Sequence, residues 1–77
     1  MKLRLDSLAP GQTAQLEKIM LLAAQRTRLE ELGLLPGTVV RCVYRAARGT
    51  IAAYAFGGAV FALRRADAEK MVVEQCE

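Results

Sequence analysis

Histidine is absent from the 77 residues of this chain, and serine occurs once, as Ser7. Enzymes of acyl transfer and of general acid-base catalysis most often rely on a histidine. Ser7 has no evident base beside it, the eight carboxylates are dispersed, and no glycine-rich phosphate loop occurs. The reading is that the chain is not an enzyme. Tryptophan is also missing and Phe and Tyr number two each, although 53% of the residues are hydrophobic. The core is therefore expected to be aliphatic and padded with alanine.

Cysteine is scarce, with Cys42 and Cys76 standing 34 positions apart and forming no CxxC pair. Small disulfide-stapled secreted domains carry more cysteine than this, and no signal peptide is visible, so the expected compartment is the cytoplasm. Three-ligand zinc or iron coordination is not supported, which leaves weak binding of a divalent transition metal as the most that carboxylates would provide. Long apolar runs are lacking too. The uncharged stretch Ile51 to Leu63 is interrupted by Gly57 and Gly58 and falls short of the ~20 residues of a membrane-spanning helix. Eleven basic against eight acidic side chains give a net charge of +3, without the basic stripe and interleaved aromatics of a nucleic-acid surface.

What is present is short strands and tight turns, and the length fits a single domain over 1–77. Lys2-Leu3-Arg4-Leu5 alternates as a half-buried strand does. Pro10-Gly11 and Pro36-Gly37 have the residues of type II turns. A strand over Thr13 to Ile19 should place Ala14, Leu16 and Lys18 on one face. The period then changes: a helix over about 22–32 should gather Leu22, Leu29 and Leu32 on one side and end at Gly33, with Leu34 folding back on Leu29. From Val39 to Ala46 a strand should set Val40, Cys42 and Tyr44 on the core face, so Cys42 reads as a buried hydrophobe and Cys76 as an exposed thiol.

Gly57-Gly58 signals a two-residue hairpin pairing Phe56 with Ala59, Tyr54 with Phe61 and Ala52 with Leu63, with the aromatics on the core face. The opposite face carries Ala53, Ala55, Val60 and Ala62 before Arg64, a contiguous apolar strip that marks a candidate partner-binding surface with Arg64 and Arg65 at its end. A cover of helix or coil over that strip is the competing reading, and the two arginines also suit plain solvation. A helical turn near 65–70 and a strand at Met71 to Glu74 complete a mostly β fold of five or six strands, best arranged as a small closed barrel.

Three motifs in this order resemble the FeoA family: Leu5-Asp6-Ser7-Leu8-Ala9-Pro10-Gly11-Gln12; Arg28-Leu29-Glu30-Glu31-Leu32-Gly33-Leu34-Leu35-Pro36-Gly37; and Gly58 to Leu63 running into Arg64-Arg65, Asp67-Ala68 and Val72-Val73. The chain departs from the family at Ala47-Arg48-Gly49-Thr50-Ile51, where many relatives have P-x-G-D-P, and in the apolar outer strip. The resemblance implies an SH3-like barrel in the bacterial cytoplasm that supports FeoB, the membrane ferrous-iron transporter with an attached GTPase domain. It brings no established catalytic residues. The alternatives are a small barrel that binds another protein or nucleic acid, and a weak transition-metal-binding regulator; a homo-oligomer also fits.

Overall fold

The computed structural model describes residues 1–76. Six strands, β1 (Lys2–Arg4), β2 (Thr13–Ile19), β3 (Val39–Arg45), β4 (Ile51–Phe56), β5 (Ala59–Arg64) and β6 (Met71–Gln75), form one antiparallel sheet in the order β1-β6-β2-β3-β4-β5. Two helices, α1 (Ala23–Glu31) and α2 (Arg65–Ala68), and a 3-10 turn at Leu5–Ser7 complete it. Six flat strands would span about 24 Å in width and little in depth. The domain instead measures 29 × 26 × 23 Å, and side chains from all six strands meet in one core, so the sheet curls around its inner face. The ladder itself runs from β1 to β5 without joining them; Leu5 and Leu8, both fully buried beside the 3-10 turn, supply part of the remaining wall.

The core is aliphatic with one buried phenol, Tyr54, whose hydroxyl lies 3.5 Å from the Leu5 carbonyl oxygen. Ala14, Leu16, Val40, Cys42, Met71 and Val73 are closed off around it. Phe56 stacks on Phe61 with ring centroids 4.6 Å apart, inside the range of favourable aromatic pairs.

Two β-bulges change which residues face this core. In β2 the register slips between Leu16 and Lys18, so one extra residue shifts the alternation: Ile19 is buried and Lys18 exposed, reversing the face expected for Lys18. In β3 the slip lies between Cys42 and Tyr44. Tyr44 is thereby turned outward, 60% exposed, in place of the core position the plain alternation predicts. Arg45 is turned inward by the same slip and donates to the carbonyl oxygens of Asp6 and Leu8, tying the 3-10 turn to the sheet.

The helix is shorter than its apolar spacing suggests. Leu22 precedes the first turn with extended backbone and is 77% exposed, and Leu32 is the exposed C-cap, leaving Leu29 as the buried residue of α1. Its exit is a Schellman turn: Gly33 N–H donates to the Glu30 carbonyl at 3.0 Å and Leu34 N–H to the Leu29 carbonyl at 2.9 Å, with Leu34 fully buried. Gly33 has φ +104°, a conformation that L side chains rarely adopt. The two Pro-Gly turns close by hydrogen bonds from Gln12 N to Ala9 O at 3.0 Å and from Thr38 N to Leu35 O at 2.9 Å.

Gly33→Val is expected to destabilise the domain by about 1 kcal/mol or more, through left-handed strain alone. For a domain of this size that lowers the melting temperature by about 4–8 °C; an unchanged thermal transition would contradict the assignment. Burial raises the Cys42 thiol above its ordinary value of 9.0, while Cys76 is half-buried, with its backbone N–H donating to Thr13 O at 3.2 Å, and is less exposed than a tail thiol would be. Alkylation under native conditions should therefore modify Cys76 first, and Cys42 only when the domain opens. Because the folded-state value is raised, the contribution of the neutral Cys42 thiol to stability is complete below about pH 9 and is lost as pH climbs through the raised value. Urea titrations from pH 7 upward should show that loss, and Cys42→Ala should reduce it.

Candidate functional site

The β4–β5 hairpin positions the candidate residues. Its turn, Gly57-Gly58, has φ +60° and +80°, the pair of positive values that a type I′ turn requires and that matches the twist of the flanking strands. Gly57 is also confined by packing, since a Cβ there would stand 3.1 Å from the Leu32 carbonyl oxygen. The turn fixes the register: Phe56 faces Ala59, Tyr54 faces Phe61 and Ala52 faces Leu63 on the inner side, while Ala55 faces Val60, Ala53 faces Ala62 and Ile51 faces Arg64 on the outer side. This is the pairing expected from the sequence.

The outer side is open. Val60 is 57% exposed and Ala62 is exposed, so neither helix nor coil covers the strip. Ala53 and Ala55 are half-buried beside taller neighbours: Tyr44 and Arg41 from β3 on one side and Val60 from β5 on the other, where Ala62 stands level with Ala53. The result is a furrow with an alanine floor along β4. Its Ala55 end, between Val39, Arg41 and Val60, is a depression of about 420 Å³. Ile51 ends this surface opposite Arg64, as the sequence pairing has it, while Val39 and Tyr44 belong to it and were not part of the sequence expectation. Tyr44 was hidden by the bulge, which leaves no signal in apolar alternation.

Arg64 and Arg65 differ in role. Arg64 is 72% exposed and sits 3.5 Å from Asp67, a loose contact between solvated groups. Arg65 reaches Asp6 at 3.6 Å and Glu69 at 3.4 Å. Asp6 is 6% exposed, and its Oδ1 also lies 3.1 Å from Arg4 Nε, without the alignment of a hydrogen bond. A buried carboxylate needs such partners. Arg65 therefore holds α2 to the 3-10 turn before it serves any surface.

A second hollow, of about 240 Å³, lies between α1 and the end of β5, with Leu21, Leu29 and Leu63 as its apolar wall and Arg28 and Arg64 at its rim. The departing loop after β3 is a tight turn in which Gly49 N–H donates to Ala46 O at 2.8 Å and Ala46 N–H to Ile51 O at 2.9 Å. Among the described residues no group of three or more His, Cys, Asp or Glu side chains could hold a metal ion, and no helix is long and apolar enough to cross a membrane.

A family model described as the FeoA domain matches residues 3–75. Among solved structures, the FeoA protein of Chlorobium tepidum is similar at 27% identity with a TM-score of 0.92, over 97% of this chain and 71% of that one. The FeoA of Stenotrophomonas maltophilia, an SH3 domain protein solved with zinc, is 32% identical with a TM-score of 0.76, over 96% of this chain and 89% of that one. A manganese-dependent transcriptional repressor shares the fold, at 18% identity and a TM-score of 0.82, over 97% of this chain and 42% of that one. No curated protein matches the chain. The curled six-stranded sheet is SH3-like, and by the match over residues 3–75 the chain belongs to the FeoA family, which is associated with ferrous iron transport.

Proposed function

We propose that this protein is a non-catalytic accessory of bacterial ferrous-iron uptake that works in the cytoplasm by docking on a FeoB-type membrane transporter. The observation that carries the reading is the uncovered outer face of β4 and β5. Val60 and Ala62 stand in solvent on the two-strand hairpin, beside Ala53 and Ala55, with Arg64 at the end. A contiguous apolar strip on a small domain is the usual mark of a protein contact. Arg65 contributes by fixing α2 next to that strip through Asp6. Family membership supplies the transport context, and a face of alanine and valine beside arginine offers no nucleophile or general base for chemistry.

A weak divalent-metal role is supported by one observation, the zinc complex of the Stenotrophomonas maltophilia relative. Stoichiometric zinc or ferrous binding by calorimetry that survives Cys76→Ser would establish it; heats indistinguishable from dilution would remove it.

The docking reading is tested by a pull-down with the cytosolic part of the transporter in its GTP-bound, GDP-bound and nucleotide-free states. Retention in at least one state is expected. Val60→Glu should leave the fold intact, since the side chain is solvent-exposed, and should abolish retention because a charge would be buried unpaired in the complex. No interaction in any state would overturn the reading.

A further inference from the structure

The charges of this chain are segregated in a way its mild net charge conceals. Between Gly33 and Ala66, 34 consecutive residues, there is no aspartate or glutamate and there are five arginines. The other 43 residues hold all eight carboxylates against six basic side chains. That cationic stretch contains β3, β4 and β5, the strands that build the open face.

Three of the five arginines are available there. Arg45 is turned inward onto the Asp6 and Leu8 carbonyls, and Arg65 is held by Asp6 and Glu69. Arg41 and Arg48 are exposed and, among the described residues, pair with no carboxylate; Arg64 touches Asp67 loosely at 72% exposure. Arg41 lies opposite Ala55 on one margin of the furrow, and Arg64 lies opposite Ile51 at the diagonal margin. Two strand spacings across and four residues along separate them by about 16 Å at the backbone. That exceeds the ~8 Å screening length at physiological salt, so each acts as a separate anchor.

We propose that this face takes a protein surface that is apolar in the middle and carries carboxylates at its margins about 16 Å apart, and that it rejects a second copy of this chain. The proposal rests on the docking reading and specifies the chemistry of what docks. A twofold contact through this face would set arginine-rimmed apolar surface against its own image with no acid from β3, β4 or β5 on either side and Asp67 already beside Arg64, which desolvates cations without giving Arg41 a partner. A lipid surface is a poorer fit, because the exposed apolar groups lie on the face of a sheet floored by alanine instead of projecting from a loop or helix. A nucleic acid is also poorer, since Tyr44 is the single exposed aromatic on the face and the available cations are few. A helix meets the spacing with acids eleven residues apart, because eleven residues rise about 16.5 Å and return to the same side.

The experiment uses two probes and the intact chain. The first is a synthetic helical peptide with an alanine-leucine stripe and glutamates at positions 1 and 12, compared with its lysine counterpart by amide chemical shifts. Saturable shifts at Ala53, Ala55, Val60 and Ala62 with the glutamate peptide alone are expected. No shifts, or equal shifts with the lysine peptide, would overturn the proposal, as would tighter binding to vesicles of phosphatidylglycerol and phosphatidylcholine or to a DNA oligonucleotide. Dimerisation that Val60→Glu abolishes would overturn it too. The second probe is the cytosolic part of the transporter: Arg41→Gln should weaken its binding about twofold to fivefold, the range of exposed ion pairs, and Arg41→Glu further, with both effects fading at high salt. Transporter binding that ignores these substitutions would overturn the proposal and leave the docking reading standing; failure of the transporter to bind at all, with the peptide result intact, would remove the docking reading alone.

Discussion

The extra residue that β3 carries at Val43 sets the phase of everything downstream in that strand, because a sheet has only two faces and one inserted residue exchanges them. Before the slip, Val40 and Cys42 face the core; after it, Arg45 does, and its guanidinium reaches the Asp6 and Leu8 carbonyls. Those two carbonyls belong to the segment whose leucines, Leu5 and Leu8, are fully buried. The same slip lifts Tyr44 onto the outer face beside Ala53. One irregularity thus anchors the wall of the core and gives the candidate docking face its largest side chain.

A domain of this size buries only about 60 to 65% of the surface of its unfolded chain, so it has little apolar material to place on an uncovered face without purpose. The core buries Leu5, Leu8, Leu16, Leu34, Val40, Val73, Met71 and Tyr54 almost completely. Alanine on the outer side of β4 keeps the floor of the furrow low, and glycine in the hairpin turn lets α1 end against it, with Leu32 and Gly33 adjoining Gly57. Fold and surface share the same short segments, which is why the helix exit and the hairpin tip meet.

Charge follows the same economy. The acids are spent where the fold needs them: Asp6 between Arg4 and Arg65, Glu74 at the N-terminal amine, Glu17 at Lys2. Strands β3, β4 and β5 contain none, and Asp67 of α2 meets their arginines only loosely, at Arg64. Under the proposed docking, a surface so composed would discriminate by sign, favouring carboxylates over its own copies, which selects partners more effectively than it adds affinity.

Local chemistry was legible in the sequence wherever it is self-contained. The Gly57-Gly58 turn dictates the hairpin register, Gly33 and Leu34 dictate the helix exit, and the alternation from Ile51 to Leu63 separates inner from outer residues, so Ala53, Ala55, Val60 and Ala62 could be placed on the outer side from residue order alone. Three motifs likewise sufficed to indicate the family. Tertiary structure decided what depends on strands distant in sequence. The bulges of β2 and β3 arise from pairing with β6 and β4 and leave no trace in a single strand's pattern, so the faces of Lys18 and Tyr44 were reversed. The leucines at 22 and 32 have helical spacing, yet they lie outside α1 in solvent, because a nine-residue helix lying along one margin of the sheet offers a single contact row, and Leu29 fills it. Whether Arg64 and Arg65 are solvated or engaged was settled by the location of Asp6, 58 and 59 positions away in the chain, within reach of one and not the other. Spacing determines what neighbours in sequence do to each other; only packing determines which distant surface each side chain meets.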